Sequence, residues 1–109
     1  MSATQSRYSE TVKFASFSDA TGDRNVVVAA VSGKKIRVLG YSLNAAGGAN
    51  TVTWESATTA LSGAMDMADQ ATIEIDSDYG LLETVAGAAL NLSMSDATLV
   101  AGHVTYVLI

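Results

Sequence analysis

The sequence predicts an all-β protein, built as a single antiparallel β-sandwich of about eight strands in a jelly-roll-like arrangement. Segments in which apolar and polar residues alternate recur along the chain, as in strands that bury one face. Turn-forming residues separate these segments at intervals of about eight to fourteen residues, the rhythm of a sandwich or barrel. Although the chain contains 18 alanines, no window combines apolar residues at helical spacing with charges on the opposite side. The 109 residues suffice for one domain spanning residues 1–109.

The first strand is predicted over residues 8–17, where side chains such as Phe14 alternate with polar neighbours. Residues 18–25 (SDATGDRN) concentrate turn-forming residues and predict a loop.

The next two strands are predicted to form a hairpin. Residues 26–31 are a continuous run of valine and alanine that is too short for a helix, which predicts a strand covered on both faces. Ser32 and Gly33 form a short connection to a second strand over residues 34–43.

The middle of the chain contains two clear strands and one ambiguous region. Trp54, within the alternating residues 51–56, is the largest apolar side chain available to a core. Residues 58–70 are expected to contain a short edge strand, and residues 72–76 (TIEID) alternate clearly, with both carboxylates on the wet face. Residues 81–85 predict a short extended piece.

The last two strands are predicted over residues 88–94 and 102–109, as a closing hairpin around residues 95–98. In the final strand one face carries Val104, Tyr106 and Leu108, and the other carries Val107 and Ile109. Because both faces are apolar, this strand is expected to be central or covered by a partner, and self-association through Val107 and Ile109 is a candidate.

Charge is divided unevenly along the chain, whose net charge is −5. All six basic residues lie in the first 37 positions, which carry only three acidic residues, while residues 38–109 contain eight acidic residues and no basic one. The acidic total disfavours nucleic acid as a partner. If the two segments fold onto different surfaces, the molecule is electrically polar and can dock on a charged partner or on another copy. The candidate docking residues are Arg7, Lys13, Lys34, Lys35 and Arg37.

Few residues suggest catalysis or metal binding. The chain has no cysteine, and its single histidine, His103, lies within a predicted strand, where a structural or surface role is expected. A glycosidase pair would have to come from Glu55, Glu74 and Glu83, but so small a sandwich offers little room for a cleft. The sequence therefore predicts no enzyme, no cofactor and no metal. One alternative left open is a calcium site assembled from acidic loop residues: Asp66, Asp69, Asp76 and Asp78.

Sequence signals for membranes and sugars are weak. No apolar run is long enough to span a bilayer and the N-terminal residues are polar, so neither a membrane segment nor an export signal is expected. Tyr79, in a turn, is the one aromatic residue expected to be exposed, and it is the platform for an alternative role in glycan binding.

Several segments of the chain resemble one known family. The basic strand at residues 33–43 (GKKIRVLGYSL) is followed by Gly-Ala-Met at residues 63–65, by residues 80–84 (GLLET) and 87–92 (GAALNL), and by the closing pattern of Val100, Gly102, Val104 and Tyr106. Over about residues 26–109 this pattern is similar to the small β-sandwich structural proteins of tailed bacteriophages. Its motifs are structural, and the family has no catalytic residues to carry over.

The resemblance implies a role in the virion. It leads us to expect a capsid decoration or cement protein, made in the host cytoplasm, that binds the major capsid protein on the outer capsid surface and bridges neighbouring capsomers. Such proteins are often trimeric, so a homotrimer is favoured, with residues 1–9 as a docking arm. The alternative is a receptor- or glycan-binding module of a phage tail or head fibre.

Overall fold

The computed structural model describes residues 11–109, which form ten β-strands and no helix. Residues 1–9, including the candidate arm and Arg7, lie outside the described part of the chain, as does most of the first half of the predicted first strand. The strands are β1 Lys13–Asp19, β2 Asp23–Val28, β3 Ile36–Asn44, β4 Asn50–Ser56, β5 Thr59–Ala60, β6 Met65–Met67, β7 Thr72–Asp76, β8 Leu82–Glu83, β9 Leu90–Met94 and β10 Val100–Leu108.

The strands form two five-stranded antiparallel sheets, which confirms the predicted β-sandwich. Sheet A has the order β1-β10-β3-β7, with β8 also pairing β3, and sheet B has the order β2-β9-β4-β5, with β6 also pairing β4. The chain is folded back on itself: β1 pairs with β10, β2 with β9, β3 with β7 and β8, and β4 with β5 and β6. This nested pairing across two sheets is the jelly-roll order. There are ten strands instead of about eight because β5 and β6 share the position beside β4, and β7 and β8 share the position beside β3.

The core lies between the sheets and is organised around Trp54. Its side chain has no exposed surface, and its ring meets Phe17 and Tyr41 edge-on, with ring centroids 6.1 and 5.2 Å apart. Aliphatic residues from both sheets fill the rest of the core, notably Ile36, Val38, Leu43, Val52, Leu90, Leu92, Val100 and Val104. Since every long strand contributes to this layer, the core explains why apolar alternation recurs along the whole sequence.

Both predicted hairpins are wrong, because their strands belong to different sheets. Strand β2 pairs with β9 in sheet B, whereas β3 pairs with β10 in sheet A. The turn at Ser32 and Gly33, closed by a 3.0 Å bond from the Lys34 N–H to the Val31 carbonyl, therefore forms part of a crossover between sheets. The closing strands β9 and β10 likewise lie in opposite sheets.

Strand β2 is an edge strand, not a strand covered on both faces. It begins earlier than predicted, at Asp23, and ends at Val28. Val26 lies on its outer face and is 61% exposed. An irregularity in the pairing between Val26 and Val28 brings Val28 into the core, which is how three successive valines come to differ so much in burial.

The first strand faces the other way from the prediction. Its register places Ala15 opposite Val104 and Phe17 opposite Gly102, so these two residues face the core. Phe14 points outward and is 77% exposed. The strand continues to Asp19, which shortens the predicted loop over residues 18–25 to a few residues around Gly22.

Other predictions for individual strands are confirmed. Strand β7 coincides with residues 72–76, and both of its carboxylates are exposed. The final strand is central in sheet A, with Val104, Tyr106 and Leu108 on its core side.

Candidate interaction surfaces

The first candidate surface is one end of the sandwich, where four of the five predicted docking residues come together. Antiparallel pairing places the start of β1, the start of β3, the end of β10 and all of β8 at the same end of sheet A. We call this surface the basic end and define it by Lys13, Lys34, Lys35 and Arg37. The fifth docking residue, Arg7, lies outside the described residues.

One carboxylate, Glu83, partly neutralises the basic end. Arg37 Nη2 and Nε each lie 2.6 Å from Glu83 Oε1, and Lys35 Nζ lies 3.7 Å from Glu83 Oε2. Lys13 and Lys34 form no ion pair with another described residue. Arg37 is thus held against the β3–β8 pair, while Lys13 and Lys34 are available for a partner.

The basic end also exposes apolar side chains. Val31 closes the turn that leads to Lys34, and Val85 begins a second turn closed by a 3.2 Å bond between the Ala88 N–H and the Val85 carbonyl. The two turns are joined by a 2.9 Å bond from the Gly87 N–H to the Lys34 carbonyl. Val31 is exposed and Val85 is 66% exposed. Apolar residues surrounded by positive charge are typical of a surface that binds an acidic protein partner.

The opposite end of the sandwich is acidic. Asp19 ends β1, Asp23 begins β2, and the connections between the sheets at this end add the other carboxylates. We call this surface the acidic end and define it by Asp19, Asp23, Asp66, Asp69 and Asp96. Among residues 11–109 the basic residue near these carboxylates is Arg24, which follows Asp23 and is paired with Glu55.

The two ends are too far apart to neutralise each other. Strands β3 and β10 are each nine residues long, which corresponds to about 30 Å. The Debye length at physiological ionic strength is about 8 Å. Each end therefore presents its own charge to surrounding molecules. The sequence predicted such a polar molecule on the condition that its basic and acidic segments lie on different surfaces.

The second candidate surface is the outer face of sheet A. An open depression of about 370 Å³ lies along the middle of β3, between β10 and β7. A smaller depression of about 200 Å³ shares Gly40, Asp76 and Thr105 with it and continues towards Ser77 and Asp78. We call the two together the outer trough and define it by six residues: Gly40, Ser42, Glu74, Asp76, His103 and Thr105.

The order of side chains across the outer trough does not form a hydrolytic triad. His103 pairs with Ser42 across the β10–β3 ladder, and Ser42 pairs with Glu74 across the β3–β7 ladder. A triad needs the imidazole between the nucleophile and the acid. Here the serine lies between them, and the backbones of His103 and Glu74 are two strands, or about 10 Å, apart.

The three glutamates considered for glycoside hydrolysis lie apart. Glu55 is on the outer face of sheet B and Glu83 is at the basic end, each in an ion pair, while Glu74 is in the outer trough. The four aspartates considered for calcium are also divided, since Asp66 is paired into sheet B through β6 and Asp76 into sheet A through β7. Among residues 11–109, no group of three or more acidic or histidine side chains is arranged to hold a metal ion.

An ion pair between Arg24, whose side chain is 42% exposed, and Glu55, whose side chain is 11% exposed, occupies the outer face of sheet B. Arg24 Nε donates to Glu55 Oε1 at 2.6 Å and Nη2 donates to Glu55 Oε2 at 3.3 Å, a two-point contact across β9. The hydrogen bond to Glu55 raises the pKa of Arg24; desolvation opposes this rise, and the charges of Glu55 and Asp23 add to it. Beside the pair, the Asn91 amide is buried and donates to the Ala57 carbonyl at 2.9 Å. The Arg24–Glu55 pair and the Asn91 hydrogen bond together join β2, β9 and β4, which is a structural role.

The remaining predicted site residues lie near the basic end. Val107 has no exposed surface in the single chain, so it has no area to offer another copy. Ile109 is partly exposed and is bonded to Lys35 in both directions, at 2.8 and 3.0 Å, which places it within the basic end. Tyr79 is 72% exposed and lines a further depression of about 330 Å³ with Arg37 and Glu83.

Sequence reasoning missed the outer trough. Alternation in β7 and β10 did indicate that Glu74, Asp76 and His103 point outward. It could not show that these strands flank β3, because that depends on which strands pair. Nor could it identify Phe14 as exposed, since Phe14 and Phe17 compete for the core.

Comparison with known proteins gives no relative for this chain. No family model matches the sequence, and no significant match was found among curated proteins or solved structures. Within the described residues no helix is long and apolar enough to cross a membrane.

Proposed function

We propose that this protein is a non-enzymatic structural protein of a bacteriophage virion, a capsid decoration protein that binds the major capsid protein on the outer surface of the expanded head. The observation that carries the proposal is the basic end, about 30 Å from the acidic end. There the exposed Val31 and Val85 accompany Lys13 and Lys34, which form no ion pair with another described residue. The resemblance to phage β-sandwich proteins supports the same role.

The chemistry of the basic end favours an acidic protein surface as its partner. Lys13 and Lys34 supply charge that guides the encounter, and Val31 and Val85 supply apolar area to be buried. A single contact of this size would be weak, but a decoration protein repeats it over a whole shell. Bridging two capsomers makes the second contact intramolecular, so binding gains from effective concentration.

Contact between the basic end of one copy and the acidic end of another is less suitable as the main assembly mode. The ends lie at opposite poles of the strands, and a head-to-tail contact closes into a ring only if its rotation allows. Opposed poles favour an open chain of molecules. The favoured trimer would thus use the sides of the sandwich, and native mass spectrometry of the purified protein tests that state.

The test is binding to expanded shells of the cognate major capsid protein. The variant Lys13→Glu/Lys34→Glu reverses charge at the basic end and leaves the ion pairs of Lys35 and Arg37 with Glu83 in place. Asp69→Lys/Asp96→Lys makes the same number of charge reversals at the acidic end and serves as the matched control.

We expect the native protein to bind shells and raise their disassembly temperature, in a manner weakened by salt. The lysine variant should lose binding while keeping the melting temperature of the free protein, and the aspartate variant should still bind. If the lysine variant binds as well as the native protein, the basic end is not the docking surface. If the native protein does not bind shells at all, the proposal fails.

A receptor- or glycan-binding module of a tail or head fibre is the second candidate, and the high exposure of Tyr79 favours it. Glycan-array binding that disappears in Tyr79→Ala, without shell binding by the native protein, would select this role over capsid decoration.

A further inference from the structure

The outer trough contains hydrogen-bonding groups that the fold does not use. The side chains of Ser42, Glu74, Asp76, His103 and Thr105 line it, and none of them forms a hydrogen bond or ion pair with another described residue. Together they offer two carboxylates, two hydroxyls and one imidazole. By contrast, polar side chains in the loops at the acidic end, such as Asn50, are fully engaged in holding the loops together.

The shape of the outer trough depends on small residues. Gly40 forms its floor, where a Cβ would lie 3.1 Å from Asp76 Cβ and 3.3 Å from the Ile75 carbonyl oxygen. Gly40 pairs with Thr105 on one side and with Asp76 on the other. Because the backbone groups of β3 and β10 are used in the sheet ladders, a ligand lying over them must be recognised by side chains and cannot be added as another strand.

An exposed aromatic ring stands beside the outer trough. Phe14 pairs with Thr105 across the β1–β10 ladder, so Phe14, Thr105, Gly40 and Asp76 form one row across the outer face of sheet A. Phe14 is 77% exposed, although nothing in the sandwich requires an apolar residue there. The row thus places an apolar ring at one edge and a carboxylate at the other, with small residues between them.

We propose that the outer trough is a binding site for a neutral saccharide. A pyranose ring has apolar C–H faces that stack on an aromatic ring and a rim of hydroxyls that both donate and accept hydrogen bonds. The row from Phe14 to Asp76 crosses three strand spacings, about 14 Å, so the ligand has more than one sugar unit. Phe14 stacks on one ring, while Glu74, Asp76, Ser42 and His103 bind the hydroxyls of the next. The two carboxylates repel acidic sugars, which favours uncharged saccharides over acidic ones. This site is separate from the basic end and does not depend on capsid docking.

The first test is a glycan array that carries neutral and acidic oligosaccharides, probed with the full-length protein and four single variants. Glu74→Gln keeps the size of the side chain and removes its charge, and Phe14→Ala removes the ring. Val26→Ala, on the outer face of sheet B, is the matched control for loss of an exposed apolar residue. Tyr79→Ala tests the other exposed aromatic residue. All four positions are exposed, so each variant should fold, which its melting temperature checks.

The expected result is binding to at least one neutral glycan, weakened about tenfold or more by Glu74→Gln and by Phe14→Ala and unchanged in Val26→Ala. Absence of binding to every neutral glycan overturns the proposal. So does binding that both trough variants retain, or binding that only Tyr79→Ala removes. The lysine variant of the basic end should bind the same glycans, so that loss of capsid docking and loss of saccharide binding are told apart.

A second readout reports on the site directly. His103 is the only histidine in the chain, so its imidazole proton signals are unique in the NMR spectrum. Titration with the best neutral oligosaccharide from the array should shift these signals with the same saturation curve that describes binding. If binding saturates while the His103 signals stay fixed, the saccharide lies elsewhere and the outer trough is not its site.

Discussion

Replacement of Gly102 by alanine should destabilise the sandwich far more than one added methyl group normally does. Gly102 lies in the middle of β10, opposite Phe17 of β1 and Leu43 of β3. A Cβ at this position would overlap the Ser42 carbonyl oxygen, lie 2.8 Å from the Ser42 carbonyl carbon, and lie 3.1 Å from Phe17 Cζ. Two of these three atoms belong to the backbone of β3, so no side-chain rotation can relieve the overlap.

The expected loss of stability in Gly102→Ala depends on which groups must move to admit the methyl group. Overpacking of a core by a methylene typically costs about 1 to 3 kcal/mol when side chains can shift. Here β10 and β3 must separate at the centre of sheet A, and Phe17 must also leave its place against Trp54. We therefore expect a loss of about 3 kcal/mol or more, which lowers the melting temperature of a domain of this size by roughly 10 to 20 °C.

Two other glycines provide controls. Gly63 has nothing within 4 Å of an added Cβ and no positive φ, so Gly63→Ala should be neutral. Gly33 also has open space but a φ of +73°, so Gly33→Ala isolates the backbone cost, about 1 kcal/mol. Urea denaturation followed by Trp54 fluorescence measures all three variants. If Gly102→Ala is no less stable than Gly33→Ala, the close approach of β10 to β3 described here is incorrect.

Two further predictions concern the core and the ion pair of sheet B. Trp54→Ala should reduce the free energy of unfolding by about 3 to 5 kcal/mol, because it empties the centre of the core between Phe17 and Tyr41, and the urea midpoint monitored by circular dichroism checks this. Arg24→Ala should also lower stability, since it leaves the buried Glu55 unpaired. Because the pKa of Arg24 is raised above its usual value in the folded state, its contribution is fully present below that usual value and is lost only in stronger alkali. The loss of stability caused by Arg24→Ala should thus be equal at pH 7 and pH 9. A smaller loss at pH 9 would contradict the assignment of this stability to the Arg24–Glu55 ion pair.

Local patterns predicted the strands well where one face is clearly polar. Residues 72–76 alternate threonine and carboxylates with isoleucines; β7 has these bounds and exposes both carboxylates, although of its two isoleucines only Ile73 packs against the core and Ile75 is 48% exposed. Leu90, Leu92 and Met94 alternate with polar residues and all three enter the core. In these strands the burial of every second residue is the dominant free-energy term, so periodicity alone determines which side faces inward.

Local patterns failed where the choice depended on distant strands. Ser32 and Gly33 have the composition of a hairpin turn, yet they connect two sheets, because β2 gains more by pairing with β9. Val26 of β2 is exposed because it lies on the outer face of a two-layer sandwich, and which face of a strand is covered is not encoded by the strand's own residues. Phe14 and Phe17 are both suited to a core, and the absence of a side chain at Gly102 makes room for Phe17.

The uneven distribution of charge along the sequence separates the charges in space only because of the order in which the strands pair. Basic residues end at position 37 in the chain, and this would have no electrostatic consequence if later strands carried their carboxylates back to the same end. In the jelly roll, only Glu83 returns to the start of β3, while Asp19, Asp23, Asp66, Asp69 and Asp96 lie at the other end.

The positions of the two proposed sites are mutually compatible. The basic end consists of the first residues of β3 and the turns beside it, whereas the outer trough lies on the side of the sandwich around Gly40 and Ser42 and extends towards that end as far as Ser77 and Asp78. A molecule docked through the basic end would cover its lysines and still leave the outer trough open to solvent. Each copy on a shell would then hold one saccharide site facing outward, and weak single contacts would be multiplied by the number of copies. Decorated shells should therefore bind a neutral-glycan surface much more tightly than the free protein does, and equal affinities would show that docking covers or distorts the outer trough.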